Sequence, residues 1–211
     1  LADIFVFDAF ASAHHPSCSV SEVSGELPSY AGLLVIKELE NLQKLIIDPP
    51  KNFVCILGGA KIRDKILVMQ NLLKKVSFFL LGGVMANTFL KAHGYPIGIS
   101  AYDRNEIGRA QSLLSLKSLL LPLDVVVERK GLFGRKRIRV VPPAQVEANE
   151  TILDIGPKTI HLYASYIRAA QTIIWNGPMG YFETPAFSHG SISLARFIAS
   201  RSKGKAYGVA G

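Results

Sequence analysis

Apolar residues recur along this chain in two rhythms. Near the start, Leu33, Leu34, Ile36, Leu39, Leu42 and Leu45 return every three or four positions, with Lys37, Glu38, Glu40 and Lys44 off that stripe. This is the spacing of an amphipathic helix. The pattern predicts a helix from Pro28 to Ile47, with Pro28 in the first turn, where its missing N–H costs nothing. Asp48-Pro49-Pro50 is the expected stop. Before it, Asp3 to Ala9 reads as a short strand and the small, polar stretch Ser12 to Gly25 as a loop.

From Phe53 onward the rhythm changes. Compact apolar runs at Phe53–Leu57, Ser77–Leu81 and Thr172–Trp175 read as strands buried on both faces. Between them Lys61–Val76, Met85–His93, Glu106–Ser118, Ile160–Ala170 and Ser191–Ser200 show helical spacing. Leu119–Val127 reads as one strand with Arg137–Val141 as its hairpin partner, and Ala206–Val209 as a last strand. Apolar strands alternating with helices predict an α/β fold, a Rossmann-like doubly wound parallel sheet in three αβα layers. Right-handed crossovers bring the carboxyl ends of the strands to one edge, where such sheets bind ligands.

Composition narrows the classes. With 49% hydrophobic and 19% charged residues over 211 positions, the chain can bury a core and is not intrinsically disordered. No apolar run approaches the roughly 18 residues of a membrane span, and Leu1-Ala2-Asp3 has no basic signal-peptide start. Two cysteines, Cys18 and Cys55, cannot make a disulfide framework or a Cys/His metal motif, so a cytoplasmic location is expected. The formal charge of +8 is largely local. Arg129 to Arg139 carries six cations around Phe133, either a solvated hairpin tip or a nucleic-acid patch. A start at Leu1 and a stop just after a strand-like run lead us to expect a fragment.

Candidate chemistry follows the strands. Gly58-Gly59-Ala60-Lys61, Gly82-Gly83-Val84 and Asn176-Gly177-Pro178 lie at the same edge of the inferred sheet. Glycine admits close approach of a ligand to the backbone, and a helix beginning after such a turn offers unpaired N–H groups to an anion. Ordinary tight turns would use the same residues. Lys61 and Lys65, four apart, share a face at a helix start, where the macrodipole disfavours cations. They are either surface lysines or ligands for a phosphate. His14 and His15 are either a loop feature or an anion or metal site. Neither GxxxxGK[ST] nor GxGxxG occurs.

Several stretches together resemble phosphoglycerate kinase. Residues 53–61, FVCILGGAK, with Asp64-Lys65, resemble that family's GGAKxxDK motif, and LLGGVMANTFLK its GGGMAxTFLK motif. DIGPKT at 154–159 and WNGPMGYFE at 175–183 match two more, and DAFASAH at 8–14 resembles DAFGTAHR. The resemblance implies residues 1–27 as the end of a substrate domain, 28–47 as an interdomain hinge helix and 48–211 as an incomplete nucleotide-binding domain. It implies a phosphotransferase of glycolysis, moving a phosphoryl group between 1,3-bisphosphoglycerate and ADP or ATP with Mg²⁺. Lys61 and Lys65 would be catalytic. Gly59, Ala60, Gly82, Gly83, Asn176, Pro178 and Glu183 would contact the nucleotide, and His14 and His15 the acid substrate. No residue of the chain is assigned to a metal, because the Mg²⁺-ligand Asp is expected beyond the chain end. Small molecules are the expected partners of a monomer, without nucleic acid or membrane. Two departures stand out: His15 replaces an Arg, which should weaken anion binding, and Val84 replaces a Gly, which could crowd the nucleotide. Most of the substrate domain and the family's Gly-Gly-Gly-Asp-Thr turn are expected outside these 211 residues, so the chain by itself is expected to be inactive. A non-catalytic nucleotide-binding relative and a nucleic-acid-associated protein using 129–139 are the rival readings.

Overall fold

The computed structural model describes residues 2–47, 51–131 and 136–211. The chain divides into two compact units, Leu1–Pro49 and Pro50–Gly211.

In the first unit, strands β1 (Phe5–Phe7) and β2 (Ser29–Ala31) pair in parallel. The segment expected as a loop is partly helical: a π-helical turn, Cys18–Glu22, runs into α1 (Val23–Glu26). Serine hydroxyls hold it, Ser21 donating to the Ser17 carbonyl at 3.0 Å and Ser24 to that of Ser21 at 2.8 Å. Such local side-chain bonds leave no apolar periodicity to read. Helix α2 spans Leu33–Ile46, so it begins five residues after Pro28. Pairing with β1 draws 29–31 into a strand, and the Pro28 carbonyl accepts the Phe5 N–H at 2.9 Å. Gly32 is the N-cap, and Asp8 supplies the missing cap by accepting the Val35 N–H at 3.0 Å. The expected stop at Asp48-Pro49-Pro50 lies outside the described residues.

The second unit is built on a five-stranded parallel sheet in the order β10-β9-β3-β4-β5. Its strands are β3 (Phe53–Leu57), β4 (Phe78–Leu81), β5 (Leu119–Leu120), β9 (Thr172–Asn176) and β10 (Tyr207–Ala210). Alternation along the strands splits the core in two. Phe53, Cys55, Leu57, Phe79 and Leu81 pack with helices α3 (Ile62–Leu72), α4 (Gly83–His93) and α5 (Ile107–Leu113). Val54, Ile56, Leu80 and Ile173 point the other way, against α6 (Pro157–Ala169) and α7 (His189–Arg201). All five residues of β3 are buried, which is why that strand read as a continuous apolar run. Cys55 is core, and burial pushes its thiol up to about 12.

Leu119–Val127 is not one strand. Leu119 and Leu120 finish the parallel sheet, whereas β6 (Val125–Lys130) opens a separate antiparallel sheet with β7 (Lys136–Val141) and β8 (Glu150–Ile155). Pro122, without an N–H for a ladder, separates the two. Buried Asp124 then clamps the start of α6, accepting the Lys158 and Thr159 N–H groups at 3.1 and 2.8 Å. Strand β8 had no clear pattern because its buried positions include the acids Glu150 and Asp154.

The candidate site at the carboxyl edge of the sheet

The turns after β3, β4 and β9 meet at one edge and pack on one another. A Cβ on Gly58 would overlap the Pro178 carbonyl oxygen, so that position admits only glycine without a shift of the chain. Gly83 has φ +57, and a Cβ there would stand 2.7 Å from the Gly59 nitrogen. The N–H groups of Gly59 and Gly83 donate to the carbonyls of Pro178 and Met179 at 2.8 and 2.7 Å, and the Met85 N–H to that of Gly59 at 3.2 Å. These donors are spent within the protein. At the N-terminus of α4 the Gly83 and Met85 N–H groups are therefore taken up within the protein. Helix α3 has Lys61 as its N-cap, and Lys61 makes no side-chain capping bond.

The two lysines are not equivalent. Lys61 is exposed. Lys65 is half-buried, and its stem crosses the glycine turns: a Cβ on Gly177 would come 3.2 Å from Lys65 Cε, and one on Gly59 3.9 Å from Nζ. Burial holds the Lys65 ammonium below the usual lysine range, Asp64 opposing and Lys61 adding to the shift. A cation kept partly desolvated above two glycines suits an anion.

Beside these turns lies a cavity of about 480 Å³, within the range of small-molecule sites. Gly59, Ala60, Gly83, Pro178 and Glu183 line it, with Val84 also on the wall. Lys61, Lys65, Gly82 and Asn176 do not line it. Gly82 is buried against Met179, Asn176 is exposed at the end of β9, and the lysines stand on the α3 side. Ala86, Pro122, Val125 and Ile155 give the wall apolar surface, and Asn87, Thr151 and Asp154 also contribute to it.

The sequence reading singled out none of these polar residues. Asp154 accepts the Gly190 N–H at 2.8 Å and the Ile155 N–H at 2.9 Å. Burial pushes its carboxyl up to about 6, against the pull of these N–H groups and of His189. Asn87 is buried on α4, four residues after Gly83, and that spacing was the available signal. Among the described residues no group of His, Cys, Asp or Glu is arranged to hold a metal ion.

The first unit presents His14 and His15 exposed, with ring centroids 4.0 Å apart. The basic stretch 129–139 is described only at its two ends; Leu132, Phe133, Gly134 and Arg135 lie outside the described residues. At those ends Arg129 pairs with Glu147, Lys136 with Glu128, and Arg139 with Glu147 and Glu150. These carboxylates neutralise much of what read as a cationic patch.

Fold and cleft together define a doubly wound α/β protein with its ligand cavity at the carboxyl ends of the strands. The family model for phosphoglycerate kinase matches residues 1–211. The chain belongs to the phosphoglycerate kinase family. It is 46% identical over 204 residues to the phosphoglycerate kinase of Pelotomaculum thermopropionicum, covering 94% of this chain and 52% of that protein. It is 44% identical over 211 residues to that of Moorella thermoacetica, covering 95% and 52%. The solved structure of phosphoglycerate kinase from Coxiella burnetii superposes with a TM-score of 0.86 at 41% identity, covering 100% of this chain and 55% of that one. That from Pyrococcus horikoshii OT3 gives 0.83 at 27% identity, covering 99% and 53%. The chain thus spans about half the length of the relatives it matches. None of its described helices is long and apolar enough to cross a membrane.

Proposed function

We propose that this chain is the nucleotide-binding half of a phosphoglycerate kinase, and that its cavity takes ADP or ATP. The observation that carries the reading is Lys65, half-buried beside Gly59 and Gly177, with Gly59 itself lining the cavity. The apolar wall suits a base, Glu183 at the rim suits ribose hydroxyls, and the lysine side suits phosphates.

The proposed reaction is reversible transfer of a phosphoryl group between 1,3-bisphosphoglycerate and ADP. A terminal oxygen of the ADP β-phosphate attacks phosphorus, and the bond from phosphorus to the acyl oxygen breaks. The electron pair leaves with the carboxylate of 3-phosphoglycerate. The attacking oxygen is already anionic and the leaving oxygen departs as a stable carboxylate, so neither a general base nor a general acid is required. The protein has to gather negative charge, align the partners and exclude water. Lys61 and Lys65 supply charge, and the packed turns supply a rigid frame. Mg²⁺, when bound, would shield the charge of the nucleotide phosphates. His14 and His15 are assigned to the acid substrate. The proposed partners are small molecules, in a cytoplasmic monomer without a nucleic-acid role. Ion pairing of Arg129, Lys136 and Arg139 supports that last point.

Titration calorimetry of the 211-residue chain with ADP tests the site, and a coupled assay of the full-length gene product with 1,3-bisphosphoglycerate tests transfer. Saturable ADP binding with turnover supports the kinase. Binding without turnover supports the non-catalytic reading, which Val84 on the cavity wall and His15 favour. Absence of ADP binding refutes the nucleotide site.

A further inference from the structure

The carboxyl edge of the five-stranded sheet holds the cavity; the opposite, amino edge plays no part in the proposed reaction. In a parallel sheet every strand is entered at that edge. Each of the five entries carries an exposed cation: Lys51 before β3, Lys74 before β4, Lys117 before β5, Arg168 before β9, and Lys203 with Lys205 before β10. The segments leading into the strands, residues 51–52, 73–77, 114–118, 168–171 and 202–206, contain no Asp or Glu. None of these six cations has a carboxylate partner among the described residues, whereas Arg129, Lys136 and Arg139 of the hairpin are ion-paired. One cation at each helix C-terminus would answer the macrodipole, whose effect is confined to the last turn. That accounts for Arg168 in the last turn of α6. It does not account for Lys117, which lies beyond Leu113 at the end of α5, or for Lys203 and Lys205, beyond Arg201 at the end of α7.

We infer that the amino edge is a docking surface for an anionic lipid bilayer, held through headgroup charge with no part of the edge inserted. Three observations choose that partner. First, the strand-entry segments supply none of the exposed large hydrophobic side chains, so nothing there would form the buried anchor of a protein–protein contact or enter between acyl chains. Second, the aromatic rings of the edge are engaged within the protein: Phe78 packs on Tyr166 with centroids 4.5 Å apart, and the Arg168 guanidinium lies 5.3 Å from the Phe197 centroid. They offer no stacking platform to a single-stranded nucleic acid. Third, the cations spread over an area. Strand entries about 4.8 Å apart carry them across the sheet, and Lys74 follows α3 on one face while Lys203 and Lys205 follow α7 on the other. A plane of headgroups meets them together, whereas a strand of nucleic acid follows a line. The cavity lies at the opposite edge and stays open to water. A peripheral lipid partner departs from the sequence expectation, which excluded a membrane.

The test is cosedimentation of the 211-residue chain with vesicles of phosphatidylcholine, either alone or with about 30 mol% phosphatidylserine to give a negative surface. The chain should partition about tenfold or more in favour of the anionic vesicles. That preference should vanish as salt rises from about 0.1 to about 0.5 M, because the surface charge is then screened over a shorter distance. Each lysine near such a surface contributes roughly fivefold, so Lys203→Gln with Lys205→Gln should weaken partition roughly 25-fold. Arg129→Gln with Arg137→Gln removes the same charge from β6 and β7 and should change partition by less than about threefold. Should the first pair fail to fold, Lys74→Gln with Lys117→Gln carries the same expectation. Equal partition onto the two kinds of vesicle overturns the inference. So does an equal loss in the edge and hairpin variants, since net charge alone would then act. Edge-dependent binding of polyuridine RNA by a chain that ignores the anionic vesicles assigns the edge to nucleic acid and overturns the membrane reading.

Discussion

Lys65→Met separates a ligand-binding lysine from a structural one. The substitution keeps an unbranched stem over Gly177 and deletes the ammonium that ends near Gly59. In the free protein that ammonium is partly desolvated, which is why it is held below the usual lysine range. Its removal relieves a cost, so the unfolding midpoint should hold or rise. The sign follows from linkage. A lysine with a depressed folded pKa disfavours the folded state while it is charged, and the penalty fades as pH rises through that pKa. Toward a phosphate the balance reverses. A charge-assisted hydrogen bond in a partly dry site is worth about 1.5–3 kcal/mol, so ADP affinity should fall roughly 10- to 150-fold. Lys61 is exposed, and a solvated ion contact contributes at most about 1 kcal/mol. Lys61→Met should therefore cost no more than about fivefold. Calorimetry with ADP gives the affinities, and urea unfolding followed by Trp175, the only tryptophan, gives the stabilities. ADP affinity of the wild-type chain should also decline at alkaline pH earlier than an ordinary lysine would allow. A Lys65→Met protein that loses stability, or that binds ADP within twofold of wild type, refutes the assignment.

Three further outcomes follow from the same geometry. Asp124→Ala strands the Lys158 and Thr159 N–H groups at the start of α6, while the Thr159 hydroxyl keeps its bond to the carbonyl of residue 124; urea unfolding should show a loss of about 2–5 kcal/mol, and a loss below 1 would mean the clamp is dispensable. Asp154 sits at about 6 instead of 3.8, so this group favours the folded state below pH 4 and loses up to about 3 kcal/mol of that contribution as pH rises through 6. In Asp154→Asn the stability change between pH 5 and 7.5 should shift by about 1.4 kcal/mol, the part of that loss falling in this window, and an identical pH dependence would contradict the burial cause. Gly58→Ala forces a methyl into the Pro178 carbonyl and should cost about 2 kcal/mol or more, read as a lower melting temperature; an unchanged melt would show that the turns are not in rigid contact.

How much of this was legible depended on how each residue is held. Strands with apolar residues on both faces, such as Phe53–Leu57, announce themselves, because the sheet is covered on both sides and polarity never interrupts the run. Strand β8 did not, since Glu150 and Asp154 are buried acids whose partners, Arg139 and the Gly190 N–H, lie 11 and 36 residues away. Local pattern contains no trace of such partners. The start of α2 misled for a related reason. Pro28 is a good first-turn residue, yet parallel pairing with Phe5–Phe7 drew Ser29–Ala31 into a strand and moved the helix start to Leu33. Motifs located the carboxyl edge and its lysines, but Asn87 could be found only by its place on the Gly83 face of α4.

The glycine turns were the most informative sequence feature, and their role turns out to be double. Had they served only to let a ligand approach, their N–H groups would stand open. Instead Gly59 and Gly83 donate to Pro178 and Met179, and Gly58 lies hard against the Pro178 carbonyl. The small residues bind three strand ends into one block. That block is what places a half-buried ammonium beside an apolar cavity and holds it there before any ligand arrives. Preorganisation of this kind is what phosphoryl transfer demands, because neither reacting oxygen needs activation and the charges need only be met in fixed positions. It follows that substitutions at Gly58 should weaken ADP binding even though the side chain would touch no part of the nucleotide, and that the loss should track the displacement of Lys65.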